Sequence, residues 1–326
     1  MHFDLSEDQK GIRRVARELL AARAGWEQVR AAAEAGADDE ALWRELCELG
    51  WPGIAVGEAH GGQGLGMVEL AVLLEQLGYA CAATPFLPSA VAAAAIQAAG
   101  SEAQRARWLP ALAAGEATAA LGTRALLAGA PGAALTLLLD GEEARLLDGA
   151  ALRPVETIDP TRRYAALDGE PAAGEPLGAS AADVVRAAIA AEVVGVCQRA
   201  LDMTLAYVKE RRQFGVPVGS FQAVQHRCAE MLLDTEGARS AALFAAWAAG
   251  ADRERLPEAA ALAAAAAADG GRAVTASAIQ AHGGIGFTWE ADVHWLYKRA
   301  QLDAALLGGA GRHRARLAAL AARRAA

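Results

Sequence analysis

A chain of 326 residues that is 54% hydrophobic and 5% aromatic can bury a sizeable core, in one large domain or roughly two to three small ones. Much of its apolar content is alanine, which is the strongest helix former and fills sheet cores poorly, so the composition favours helices. The net charge of −8, without a basic stripe of interleaved aromatic residues, argues against nucleic-acid binding.

The first part of the chain, residues 1–116, predicts an N-terminal helical domain. Ser6 is the expected N-cap of a helix that runs to about Ala24. A glycine-rich loop, GEAHGGQGLG from Gly57 to Gly66, opens another helix. Because no clear strand precedes this loop and its spacing is not GxGxxG, we interpret it as a tight turn between helices rather than a phosphate cradle. The further helices expected here cover residues 39–49, 67–79 and 88–99.

The middle of the chain, residues 117–178, predicts a reduced β region. Its candidate strands cover residues 135–139, 144–147 and 164–167, and Asp-Gly, proline and glycine turn signals separate them. Residues 179–326 return to helix, with long elements expected at roughly 183–213, 221–250, 257–282 and 290–307. Helices of this length packed side by side indicate a C-terminal four-helix bundle. The predicted fold is mainly α, with a small sheet between two helical domains.

Two segments combine glycines with residues suited to a nucleotide. Tyr207–Gln222 reads YVKERRQFGVPVGSFQ, and Gln280–Glu290 reads QAHGGIGFTWE. Arg211 and Phe214 lie three residues apart at the expected end of a long helix, so they are predicted to share a face. A guanidinium fork suits a pyrophosphate and an aromatic ring suits an adenine, although this segment alone would equally fit a charged helix end with one packing phenylalanine. Glycines in the second segment would let backbone approach a ligand closely.

Taken together, these two segments closely resemble the flavin-binding segments of the acyl-CoA dehydrogenase family. The opening FDLSEDQKGIRR, the GGxGLG loop and the C-terminal QAHGGIGFTWEADVHWLYKRA extend the resemblance over nearly the whole chain. The resemblance implies contacts to the adenosine and pyrophosphate half of an FAD that is seated in a neighbouring subunit. His282, inside the glycine motif, is expected either to touch the cofactor or to pack locally. The cofactor-binding residues that the resemblance implies are Arg211, Gln213, Phe214, Gln222, Gln280, His282, Gly283 and Gly284.

The catalytic carboxylate of such enzymes has no counterpart at the matching positions. The family reaction removes a proton from Cα of an acyl-CoA, which needs a carboxylate within reach, while the flavin takes a hydride from Cβ. The resemblance aligns this glutamate with Leu307 in one branch and with Val185, 26 residues before Arg211, in the other. Asp183 is expected to be the N-cap of the long helix. Glu192, about two turns beyond Val185, is the reserve candidate for a base, although pairing with an arginine is the favoured interpretation.

The resemblance and these losses imply a smaller, non-catalytic subunit of a heterotetrameric α2β2 acyl-CoA dehydrogenase. Such short subunits are similar to those of the enzymes that steroid-degrading bacteria use on CoA thioesters of sterol side chains and rings. A full-length acyl-CoA dehydrogenase partner would supply the base, the substrate pocket and most of the flavin site, because the middle region is short and lacks a recognisable GSD segment. Two alternatives stay open: a self-sufficient homotetrameric dehydrogenase with an unusual base, and a flavin-free scaffold subunit.

Cysteine and histidine usage bears on the compartment and on metal content. The four cysteines are widely spaced without a CxxC pair, which predicts buried free thiols and a reducing compartment. The start of the chain lacks an apolar signal core, and no charge-free run of about 18 apolar residues predicts a membrane span. The six histidines show neither HExxH nor paired metal spacing. We therefore expect a cytoplasmic protein without membrane or metal binding.

Overall fold

The computed structural model describes residues 4–169 and 173–325. Its N-terminal part consists of α1 (Glu7–Arg23), α2 (Trp26–Ala35), α3 (Glu40–Glu48), α4 (Met67–Ala80), α5 (Phe86–Ala99) and α6 (Glu102–Ala114). Ser6 caps α1 as predicted. Its hydroxyl accepts from the Gln9 amide at 3.2 Å, and the Gln9 side chain accepts from the Ser6 amide at 2.9 Å. This reciprocal capping box fixes the start of the first helix.

Helices α2 and α6 lie outside the predicted elements. Helix α2 follows Gly25, which offers no side-chain cap, so the usual start signal is missing. Helix α6 contains Pro110, and an internal proline argues against a helix because it removes a backbone donor. A usable signal was nevertheless present, since Ser101 and Gln104 form a capping box at its first turn.

The glycine-rich loop before α4 is a tight turn, and the interpretation against a phosphate cradle is confirmed. Its amides are used within the loop: Gly62 donates to the Gly57 carbonyl at 3.3 Å, and Gly64 donates to the Val56 carbonyl at 2.8 Å. A Cβ on Gly62 would overlap the Val56 carbonyl oxygen. The glycines therefore serve close backbone packing.

A mixed sheet follows the N-terminal helices. Its strands are β1 (Ala119–Thr123), β2 (Leu126–Ala128), β3 (Leu135–Asp140), β4 (Glu143–Asp148), β5 (Leu152–Pro154), β6 (Tyr164–Leu167) and β7 (Glu175–Pro176), in the order β5-β6-β2-β1-β3-β4-β7. Strands β1 and β3 pair in parallel, and the other pairs are antiparallel. The predicted strands β3, β4 and β6 are confirmed. The others escaped prediction because they are short or, like β1, buried on both faces without alternation.

The C-terminal bundle contains the long helices. They are α7 (Ala181–Glu210), α8 (Gln222–Ala251), α9 (Leu256–His282), α10 (Val293–Leu306) and α11 (Ala310–Ala325), and a hairpin of β8 (Arg212–Gln213) and β9 (Val216–Pro217) joins α7 to α8. The mainly α fold with a helical bundle is confirmed, with α11 added to the four predicted helices. Helix α7 crosses α4 closely, because a Cβ on Gly195 would overlap the Glu75 carbonyl oxygen and a Cβ on Gly78 would overlap that of Glu192.

Two of the cysteines are deeply buried free thiols. Burial raises the pKa of Cys81 to about 11 and that of Cys197 to about 12. Among the described residues, no helix combines the length and apolarity needed to cross a membrane. Within the same ranges, no cluster of three or more His, Cys, Asp or Glu side chains is placed to hold a metal ion.

Candidate functional site

The first motif forms a turn rather than a helix end. Helix α7 stops at Glu210, Arg211 caps it with extended backbone, and β8 pairs with β9 in a hairpin. Phe214 and Gly215, the two residues of the hairpin loop, have φ of +53° and +82°, as a type I′ turn requires. The prediction that Arg211 and Phe214 share a helical face is wrong, because the chain leaves the helix before either residue.

Phe214 occupies this turn against its backbone preference, and its ring faces solvent. A positive φ is uncommon for non-glycine residues other than Asn, Asp and His, and the side chain is 92% exposed. Its ring meets Phe221 edge to face, with centroids 6.3 Å apart. Arg211, Gln213 and Gln222, the first residue of α8, are also exposed. An outlier with an exposed ring suggests a function directed outside the chain.

The second motif lies at the C-terminal end of α9. Gly283 caps the helix with φ of +65°, a conformation that glycine adopts without strain. A Cβ on Gly286 would lie 2.5 Å from the Ile279 carbonyl oxygen, so packing within the chain requires glycine there. A Cβ on Gly284 would lie in open space, and Gln280 is exposed one turn earlier. This end of α9 leaves its backbone open to close approach by a ligand.

His282 joins the two motifs. Its ring stacks on Tyr207 of α7 with centroids 4.5 Å apart, and its Nδ1 donates to the Ala278 carbonyl at 2.7 Å. Burial lowers the pKa of His282, so the ring is neutral near pH 7. These contacts give His282 a packing role that brings the end of α9 against α7, one turn before Arg211.

An open pocket of about 520 Å³ adjoins the glycine motif and includes Gln280. Lys298 lies over Trp289 and Trp295, with Nζ 4.1 Å and 4.6 Å from the ring centroids. Burial, assisted by Lys298, lowers the pKa of His294 to about 4. Aromatic faces and a cation beside an amide suit a purine and a phosphate. Lys298 was not predicted from the sequence. The aromatic-rich run that follows the glycines was a local signal for this pocket.

Comparison with known proteins identifies the family. Residues 6–116 match the acyl-CoA dehydrogenase N-terminal domain, and residues 174–321 match the acyl-CoA dehydrogenase C-terminal domain. Acyl-CoA dehydrogenase IpdE2 of Mycolicibacterium smegmatis is 37% identical over 314 residues, which cover 93% of this chain and 96% of that relative. The chain belongs to the acyl-CoA dehydrogenase family. The resemblance read from the two motifs is confirmed.

Two solved structures share this fold over nearly the whole chain. The ChsE4-ChsE5 complex from Mycobacterium tuberculosis contains a chain that superposes with a TM-score of 0.87 at 26% identity and covers 99% of both chains. The Tcur3481-Tcur3483 steroid ACAD G363A variant gives a TM-score of 0.85 at 32% identity, covering 98% of this chain and 99% of that chain. Acyl-CoA dehydrogenase FadE34 of Mycobacterium tuberculosis is 34% identical over 84% of this chain, which spans only 41% of that relative.

The two positions predicted from the sequence to match the acyl-CoA dehydrogenase base are apolar and packed. Val185 is completely buried in α7, and Leu307 is 5% exposed just beyond α10. The Leu307 carbonyl accepts a hydrogen bond from His313 Nε2 at 2.6 Å. A Cβ on Gly122 of β1 would lie 3.0 Å from the Leu306 side chain. The end of α10 is thus packed against the sheet, and neither position offers a proton acceptor.

Asp183 does not cap α7. Ser180 is the N-cap residue, and Asp183 is the third residue of the helix. Its buried carboxylate accepts hydrogen bonds from Arg186 at 2.7 Å and from Arg316 of α11 at 3.0 Å. Because Arg186 also donates to Glu142 at 2.8 Å, these contacts connect three segments of the chain. The expectation of an N-cap is wrong, because α7 begins two residues earlier and Asp183 pairs with Arg316, a residue 133 positions away whose contact no local pattern reveals.

Glu192 lies in a buried ion cluster between α7, α10 and the loop before β6. We call it the Arg299 cluster; it comprises Asp159, Arg162, Glu192, Arg299 and Asp303. Glu192 Oε1 pairs with Arg162 and, at 3.3 Å, with Arg299. Arg299 bonds Asp159 at 2.8 Å, and Arg162 bonds Asp303 at 2.8 Å. Burial and the charge of Glu192 raise the pKa of Asp303 to about 7. Pairing of Glu192 with arginine is confirmed.

Proposed function

We propose that this chain is the smaller, non-catalytic subunit of a heteromeric FAD-dependent acyl-CoA dehydrogenase with α2β2 stoichiometry. In this proposal the complex introduces a double bond between Cα and Cβ of an acyl-CoA thioester. A full-length partner supplies the base and the substrate pocket. This chain alone is inactive, and Glu192 has no part in the chemistry because it is buried between two arginines.

The main support for the proposal is that the residues of the first motif face solvent. Phe214 is 92% exposed in a left-handed conformation, and Arg211, Gln213 and Gln222 are exposed with it. Residues that bind a cofactor within their own chain would be at least partly covered by that chain. A surface held open in this way suits a nucleotide that a second chain presents.

The residues present fit the adenosine and pyrophosphate half of FAD. Arg211 can donate two parallel hydrogen bonds to phosphate oxygens, and the Phe214 ring can stack on a purine. Gln213, Gln222 and Gln280 add amide donors, and His282 packs the end of α9, which carries Gln280, against Tyr207 of α7. The open backbone at Gly283 and Gly284 admits a ligand that a side chain would exclude. When bound, FAD supplies the hydride acceptor for the reaction.

The relatives support the proposed partner and substrate class. One structural neighbour is a ChsE4-ChsE5 complex and another, 32% identical, is named a steroid ACAD. In FadE34 more than half of the polypeptide lies outside the match, which leaves room for a full-length dehydrogenase in the same chain. We therefore infer a full-length acyl-CoA dehydrogenase partner and a CoA ester of a steroid side chain or ring as substrate.

A reducing, cytoplasmic location completes the proposal. Cys81 and Cys197 are free and buried, whereas proteins of oxidising compartments commonly pair their cysteines in disulfides. A CoA thioester substrate would be used in the same compartment.

Native mass and flavin absorbance test the proposal. The chain is expressed alone and together with a candidate full-length acyl-CoA dehydrogenase partner. We expect a colourless lone chain and a yellow four-chain complex with two FAD. A yellow homotetramer with four FAD from the lone chain would instead establish a self-sufficient dehydrogenase.

A matched pair of arginine variants tests the flavin contact. Arg211→Ala should lower the FAD affinity of the complex about 10- to 100-fold, since a charge-assisted hydrogen bond contributes roughly 1.5–3 kcal/mol. Arg212→Ala should leave it unchanged, because Arg212 folds back to the Gly215 carbonyl at 3.4 Å. Unaltered flavin content in Arg211→Ala would favour a flavin-free scaffold role.

A further inference from the structure

A second pocket, of about 130 Å³, lies between α1, α4 and α7. Its lining residues belong neither to the two flavin motifs nor to the Arg299 cluster. Arg17 of α1 and Arg199 of α7 line it together with Gln76 and Tyr79 of α4. The rest of its wall is apolar, formed by Leu20, Ala21, Ala24, Trp26 and Ala80. We call it the guanidinium pocket.

The two guanidinium groups are held on the ring of Tyr79. Their Cζ atoms lie 3.4 Å (Arg17) and 4.9 Å (Arg199) from its centroid. The nearby Asp202 is engaged elsewhere, because it accepts from the Tyr79 hydroxyl at 2.9 Å and from Gln198 at 2.8 Å. Within residues 4–169 and 173–325, neither arginine lies at ion-pair distance from a carboxylate. Two cations therefore share a half-enclosed pocket without a directly bound anion.

Two buried donors on residues that line the pocket have no hydrogen-bond partner in the described part of the chain. Gln76 is 1% exposed, and its Oε1 accepts from Arg17 Nε at 2.6 Å. Its Nε2 has no hydrogen-bond partner in the described part of the chain, and the same holds for Arg199 Nε. An unsatisfied buried donor costs about 1–3 kcal/mol. Both atoms are shielded from solvent, so either side chain has to shift before it can donate to a ligand in the pocket.

The charge of Arg17 points the same way. Burial lowers the pKa of its guanidinium; Tyr79, Glu75 and Asp202 oppose this, and Arg199 adds the smallest contribution, which also lowers the pKa. An anion beside both arginines would reverse this destabilisation of the charged form.

We propose that the guanidinium pocket binds a short carboxylate. Its carboxylate lies against the guanidinium groups of Arg17 and Arg199, while its hydrocarbon end contacts Leu20 and Trp26. A guanidinium fork matches carboxylate geometry, and the apolar wall favours a ligand with an apolar end over inorganic phosphate. A cavity of about 150 Å³ holds benzene, so the ligand has about four to six non-hydrogen atoms. The site stands independently of the proposed function.

Saturation-transfer NMR with butyrate on the 326-residue chain tests the site. We expect saturable butyrate binding, no binding of the neutral isostere butyramide, and an affinity at least about tenfold lower in Arg199→Met. Arg14→Met is the matched control, because Arg14 is an exposed arginine on the same α1 outside the pocket, and this variant should bind like the wild type. Lack of saturable butyrate binding, or equal binding of butyramide, would overturn the proposal, as would an equal loss in Arg14→Met.

A second variant covers the case in which Arg199→Met fails to fold. Gln76→Glu places a carboxylate of the chain itself beside Arg17, so it should abolish butyrate binding while the unfolding midpoint stays the same or rises. Wild-type butyrate affinity in folded Gln76→Glu would contradict the proposed position of the ligand.

Discussion

Replacing Glu192 with glutamine separates a structural role of this residue from a catalytic one. The side chain keeps its shape, but the negative charge that Arg162 and Arg299 share on Oε1 disappears. Removing one partner of a buried ion pair costs about 3–5 kcal/mol, because the remaining charge is left without compensation. We expect a smaller loss here, because the substitution also removes the repulsion between Glu192 and Asp303.

The compensation at Asp303 follows from its pKa. Burial and the charge of Glu192 raise its pKa to about 7, so the wild-type carboxyl is partly protonated near neutral pH. Without the Glu192 charge the pKa falls, so at pH 8 the ionised Asp303, 2.8 Å from Arg162, no longer bears the repulsion from Glu192 that it bears in the wild type. Each pKa unit corresponds to about 1.4 kcal/mol. We therefore expect the free energy of unfolding to fall by only roughly 1–3 kcal/mol at pH 8.

The same group makes stability depend on pH. A carboxyl with a higher pKa in the folded than in the unfolded chain stabilises the fold fully below its unfolded pKa, and this contribution is lost as the pH rises through the folded pKa. For Asp303 the window runs from 3.8 to about 7. Wild-type stability should lose this contribution across the window, and Glu192→Gln should lose less of it.

Urea unfolding at pH 5 and pH 8 measures both effects, and acyl-CoA oxidation by the assembled complex measures the chemistry. Asp303→Asn is the matched control, because it removes the titrating group and should flatten the same pH window with Glu192 in place. Turnover per bound FAD should be unchanged in Glu192→Gln. A loss of about a hundredfold or more at full FAD content, the size expected for a missing general base, would refute the reasoning and make Glu192 the base.

Further predictions concern packing, thiols and the hairpin. Gly195→Ala should lower the free energy of unfolding in urea by about 1–3 kcal/mol, because its Cβ overlaps a carbonyl of α4, whereas Gly237→Ala, with open space around its Cβ, should raise it by about 0.5–1 kcal/mol. Ellman's reagent at pH 8 should label Cys81 and Cys197 only after unfolding, because burial raises their pKa to about 11 and 12; labelling of the native protein would contradict this. Phe214→Asn should keep the turn, since asparagine tolerates positive φ, yet lower FAD retention in the complex; unchanged retention would exclude the ring from the cofactor contact.

The long helices could be predicted because their apolar periodicity and glycine or proline boundaries are local signals. The end of α7 could not, since Phe214 adopts a left-handed conformation that its residue type disfavours. Tertiary context overrides propensity at that point. The seven-stranded sheet was seen only in part, because strands such as β5 and β7 span three and two residues, too few for a periodicity to register.

The candidate site residues show the same difference between local motifs, which can be predicted, and long-range contacts, which cannot. Arg211, Gln280 and the glycines of the second motif were accessible from local motifs. The stack of Tyr207 on His282 and the pairing of Glu192 with Arg299, 107 residues away, depend on how the helices pack. Spacing along one sequence carries no information about such contacts.

The Arg299 cluster also joins α10 to the loop that precedes β6. Arg299 and Lys298 are neighbours on α10 with different surroundings: Arg299 is completely buried and bonds Asp159 and Thr161 of the loop before β6, while Lys298 lines the open pocket beside Gln280. Fixing one side chain in the cluster therefore fixes the helix that presents the other. The packing of Leu306 toward β1 anchors the far end of α10. The reduced sheet thus acts as a support that holds α10, and with it the surface proposed for the partner's FAD, in a defined position.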